Sequence, residues 1–157
     1  MTKDTIQKYT MRISSANKSD IIVCVYEIAE IYLEDAIKCH ETEDVEGFKN
    51  SCIKASRCIN DLYTALDFDY ELAIPLMKIY LFMDKELNLA SVKGDVNTVT
   101  RIQAMITKLK LAFEEIAKSD TSGSVMGNVE KVYSGLTYGK NRLNENVSLD
   151  TNRGFTV

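Results

Sequence analysis

Residues 72–93 are apolar around nearly the whole circumference of the helix they predict. At 100° per residue, Leu72, Leu76, Ile79, Tyr80, Met83, Leu87 and Ala90 form one stripe about 100° wide, enough to bury a helix in a bundle. Tyr70, Ile74, Met77 and Leu81 form a second stripe roughly opposite, and Phe82 and Leu89 fill part of the remaining arc. A helix with two apolar faces must be covered on several sides. It is either the central helix of its bundle or one whose outer face receives a partner.

Three further helical patterns accompany it. The first starts at Asn17, an N-cap with Asp20 in the first turn, and carries Ile22, Val25, Ala29, Tyr32, Leu33, Ala36 and Ile37 as its core stripe. Glu27, Glu30, Glu34 and Lys38 predict its solvated face. The second, from about Asp44 to Leu66, places Val45, Phe48, Cys52, Ala55, Ile59, Leu62 and Leu66 at alternating spacings of three and four, the knobs-into-holes pattern. Ile53, Ser56, Asn60 and Tyr63 run beside that line as a mixed stripe. Pro75 falls in the first turn of the third helix, where a missing N–H breaks no bond, and Gly94 ends that helix. Asp95 caps the fourth, with Val96, Val99, Ile102, Ile106, Leu109, Phe113 and Ile116 carrying the stripe to Lys118. Short connections demand antiparallel returns. The expected fold is all-α: an antiparallel four-helix bundle over residues 17–118.

Residues 1–16 predict a polar, irregular N-terminal arm whose apolar contacts are Ile6, Tyr9, Met11 and Ile13. Such an arm either frays or docks on the bundle. Residues 119–157 predict a polar C-terminal extension, with a short helix over roughly 124–134 followed by extended or disordered chain.

Composition excludes several function classes. The 157 residues, 45% hydrophobic, allow one domain with its own core. A net charge of −4 with dispersed Lys and Arg leaves no basic stripe, so nucleic acid is not an expected partner. No apolar run reaches the ~20 residues of a membrane span, and the N-terminus lacks a signal-peptide core, so a cytoplasmic location is expected. Cys24, Cys39, Cys52 and Cys58 stand singly and His40 is the lone histidine, so neither metal nor cofactor is expected. Catalysis is not expected either, because His40 sits at a helix end among glutamates. Asp67, Asp69 and Glu71 occupy an interhelical turn, where acids cap the next helix.

Val25-Tyr26 with Ala29, Ile53-Lys54-Ala55, the run Leu66 to Glu71 and Ile79-Tyr80 with Met83 occur together over residues 17–118. On these motifs the stretch resembles the FliS family of flagellin-specific export chaperones. The most specific of them are Leu66-Asp67-Phe68-Asp69-Tyr70-Glu71, against the family's S-L-D-F-E, and Ile79-Tyr80 with Met83, against L-Y-D-Y-M. Asp95 follows an Ala-Ser pair where the family has Ala-Asn. Asn17-Lys18 replaces a Ser-Pro helix start, Phe113 a tryptophan, and Leu81 an aspartate; the last adds apolar surface.

The resemblance implies a bundle that binds the disordered C-terminal segment of flagellin as a helix in an apolar groove. Binding would prevent premature polymerisation and deliver the client to the flagellar type III export gate. Helix-in-groove recognition needs an apolar lane with few charges. Ile53, Asn60, Tyr63, Tyr70, Ile74, Met77 and Leu81 supply one here. In the family the N-terminal arm covers part of the groove, and Tyr9 and Ile13 correspond to that cover. The alternative is a bundle that self-associates through the same stripe as a homodimer. A di-carboxylate metal bundle would need inward Glu-x-x-His pairs, which the lone His40 opposes.

Overall fold

The computed structural model describes residues 1–126, in which five helices follow in order: α1 (Lys3–Ser15), α2 (Lys18–Glu41), α3 (Val45–Thr64), α4 (Ala73–Lys93) and α5 (Val96–Ser119). The expected boundary residues act as caps. The side chains of Asn17, Asp44 and Asp95 accept bonds from the backbone N–H groups of Asp20, Gly47 and Thr98. Each satisfies one of the donors that a helix start leaves open. Pro75 is the third residue of α4, among those donors, so its missing N–H costs the helix nothing. Gly94 ends α4 at φ 68, in the left-handed region that glycine enters without a Cβ penalty.

The packing order around the bundle is α2, α3, α4, α5, with α2 and α5 closing the ring. Ser19 at the start of α2 bonds Asp120 just past the end of α5, and Glu30 meets Lys110, so these two helices run antiparallel. The core gathers Tyr26, Leu33, Phe48, Ile59, Met83, Leu87, Ile102 and Ile106 from all four helices. At its centre the hydroxyls of Tyr26 and Tyr80 share a hydrogen bond, and Tyr26 packs on Phe113 with ring centroids 5.4 Å apart. Burial raises both phenols above their ordinary range, Tyr26 the further of the two.

Several local expectations change. The N-terminal residues are helical rather than irregular. Thr2 caps α1 by accepting from Thr5 N–H, Asp4 and Arg12 complement the helix dipole at the two ends, and Ile6, Tyr9 and Ile13 share one face. Glu27 and Glu30 are not free surface, because Glu27 pairs with Arg12 of α1 and Glu30 with Lys110 and Thr107 of α5. Tyr26, Val23 and Cys24 are core residues of α2 in addition to the expected stripe. Val45 is 78% exposed, since α3 begins there and the partner helix has already ended at Glu41. Tyr70 lies in the turn between α3 and α4, not on a helix. The short helix expected over 124–134 falls almost wholly outside the described residues.

Candidate functional site

Among the described residues, the exposed face of α4 is where an apolar surface lacks a neighbour. Ile74, Leu81 and Phe82 are each about half exposed, Leu89 somewhat less and Val92 more, whereas Tyr80, Met83, Leu87 and Ala90 on the opposite side are buried. Lys78 and Lys85 interrupt this face, which carries no exposed carboxylate.

Ser56 of α3 donates a hydrogen bond to Asp84 of α4, which fixes the register of the two helices. Because they run antiparallel, Asn60 (Ser56 plus four) faces Leu81 (Asp84 minus three), and Tyr63 (plus seven) faces Met77 (minus seven). Ile53 lies one turn the other way. Ile53, Tyr63 and Met77 are half-buried along the seam, while Asn60 and Leu81 stand at its lip. The structure therefore brings Ile53, Asn60, Tyr63, Ile74, Met77 and Leu81 onto one lane. Tyr70 does not continue it, because the turn carries that ring towards the end of the bundle.

There Tyr70 borders a second feature, a cleft of about 470 Å³. Leu62, Ala73 and Tyr80 are its buried lining; Leu72, Ile116 and Tyr70 stand at its mouth; Lys18, Asp67 and Asp120 supply its polar rim. All four bundle helices contribute. No single helical pattern signals it, since it arises where four helix ends come together.

Residues 1–120 match the family described as Flagellar protein FliS. The chain belongs to the FliS family. The Flagellar secretion chaperone FliS of Bacillus subtilis (strain 168) is 21% identical over 108 residues, which cover 69% of this chain and 81% of that relative. The FliS match extends over α1 as well as the bundle, so the arm is part of the family domain.

In this FliS chain the arm packs on α2. Arg12 Nη1 lies 2.9 and 2.7 Å from the two carboxylate oxygens of Glu27, and the N-terminal ammonium lies 3.1 Å from Asp35. Tyr9 is 8% exposed, and burial first, then the Glu27 carboxylate, raises its phenol to about 12. Ile13 is half-buried. Helix α2 stands diagonally across the ring from α4, so in this arrangement Tyr9 and Ile13 leave the α4 face of the FliS bundle open. No helix among the described residues is long and apolar enough to cross a membrane.

Proposed function

We propose that this chain is a flagellar secretion chaperone whose client is the C-terminal segment of flagellin, held as a helix along the lane between α3 and α4. The observation that carries the reading is the exposed apolar face of α4 running beside Ile53, Asn60 and Tyr63. An amphipathic helix laid along it would cover Ile74, Met77 and Leu81 with its own apolar face. Tyr70 belongs to the same reading as the residue that the client meets where the lane ends.

The energetics fit a carrier. Four or five large client side chains contribute roughly 1.5–3 kcal/mol each, gross. Ordering a disordered client costs about 2–5 kcal/mol or more, and association entropy adds to that. What remains is firm but reversible binding. A client folded onto the chaperone cannot use the same surface for polymerisation, and reversibility allows its release at the flagellar export gate.

Isothermal titration of the full chain with the C-terminal segment of a flagellin, with far-ultraviolet circular dichroism on the mixture, tests this. Saturable binding with a negative heat-capacity change and more helix than the separate components is the expected result. Absence of binding, together with a stable dimer in sedimentation, would replace the client with a second copy of the chain.

A further inference from the structure

We propose that residues 136–142 of the chain's own C-terminal extension dock in the cleft at the end of the bundle. The inference does not rest on the client reading: the cleft shares only Tyr70 with the lane, and its occupant is intramolecular.

Among the described residues, the cleft has the character of an unfilled docking site. Tyr70 and Leu72 at its mouth are 70% and 67% exposed although they border an apolar interior. Two large apolar side chains held beside an open hydrophobic pocket call for a cover.

The path of the chain brings such a cover to the place. Asp120 bonds Ser19, its carbonyl accepts from Asn17, and Val125 N–H donates to Ala16 carbonyl at 3.0 Å. These bonds tie residues 120–125 to the start of α2, which itself lines the cleft through Lys18 and Ser19. The extension therefore leaves the bundle at the cleft's own end. Ten further residues reach position 136, and ten residues can span up to about 35 Å. The site is well within that reach.

Its sequence has matching chemistry. In extended chain, Leu136, Tyr138, Lys140 and Arg142 share one face. Leu136 and Tyr138 offer apolar anchors for the interior, and Lys140 and Arg142 follow them to the rim. That rim is acidic: Asp67 and Asp120 line it, and Asp69 and Glu71 stand exposed in the adjoining turn, against Lys18 as the one base among the described lining residues. Over residues 127–144 the extension carries Lys131, Lys140 and Arg142 against Glu130. Tethering converts the contact into an intramolecular one at high effective concentration, so a short motif suffices.

Amide hydrogen exchange on the full chain tests the proposal, with a free peptide of residues 127–157 as reference. Amides of residues 136–142 are expected to exchange at least about ten-fold slower than in the peptide, independently of protein concentration. Leu72→Glu should return them to the peptide rate. Leu72 is exposed and immediately precedes α4, where a carboxylate favours the helix, so the bundle remains intact. A second variant, Lys140→Glu with Arg142→Glu, lies outside the bundle and should have the same effect. Peptide-like rates in the unmodified chain overturn the proposal, as does slow exchange that survives both variants. Protection that grows with concentration in step with dimer formation also overturns it, assigning the cleft to a second copy.

Discussion

Arg12 on α1 and Glu27 on α2 form a two-point ion pair, one guanidinium nitrogen reaching both carboxylate oxygens at 2.9 and 2.7 Å. Together with buried Tyr9 it makes the N-terminal segment a docked helix. Arg12→Ala should release that helix while leaving the four-helix core in place. Limited proteolysis is expected to cut within residues 1–16 several times faster, with stability lowered by only about 1 kcal/mol or less, the scale of partly exposed pairs. Unchanged proteolysis would show that Tyr9 and the N-terminal ammonium on Asp35 hold the arm without this pair.

The paired hydroxyls of Tyr26 and Tyr80 give a test that depends on non-additivity. Tyr80→Phe strands the Tyr26 hydroxyl in the core, at a cost of about 1–3 kcal/mol. Tyr26→Phe should cost a similar amount for the same reason. The double replacement removes both polar groups and should destabilise by clearly less than the sum of the two single ones, as read from urea melts. Strict additivity would mean that the two groups do not depend on each other.

Gly94 closes α4 with a left-handed backbone, and no described residue crowds the position where a Cβ would stand. Gly94→Ala is therefore a pure backbone test. It should lower stability by about 1–2 kcal/mol, measurable as a fall in melting temperature. A neutral result would place the end of α4 elsewhere.

Asp120 provides the pH dependence. Bonds from Ser122 first, and from Ser19, hold its carboxyl at about 2, below the ordinary carboxylate value. A depressed folded value means that the tie between the end of α5 and the start of α2 is complete above the unfolded value of about 3.9 and is lost as pH falls towards 2. Carbon-detected NMR titration of the side-chain carboxyl should find this value, and Ser19→Ala should move it upwards. A titration at the ordinary value would remove Asp120 as an anchor of that segment.

Much of this architecture can be read along the chain because it is set by near neighbours. Asn17, Asp44, Gly94 and Asp95 mark helix ends through bonds within three or four residues, and Pro75 fits its helix by counting alone. The outward stripe of α4 is likewise periodic, so Ile74 and Leu81 emerge where the pattern puts them. What eludes such reading depends on distant partners. The polar composition of the arm hides the i, i+3, i+7 spacing of Ile6, Tyr9 and Ile13, and Glu27 and Glu30 look like surface until Arg12 and Lys110 arrive from other helices. Tyr26 lies on the apolar line of α2, four residues after Ile22 and three before Ala29, but the partner for its buried hydroxyl, Tyr80, comes from α4. Tyr70 shares a helical angle with Ile74 on paper, but the turn before α4 sends it to the cleft instead. The cleft itself needs four helix ends at once.

The most direct measurement is calorimetric titration of the flagellin C-terminal segment into the unmodified chain and into Leu81→Glu, side by side. Leu81 is half exposed on the lane, so the substitution should change stability by within about 0.5 kcal/mol. A client lying between α3 and α4 would have to bury that carboxylate unpaired, and binding should be lost while circular dichroism and melting temperature hold. Equal affinity for both proteins, with both folded, would contradict the lane between α3 and α4 as the place where the client binds.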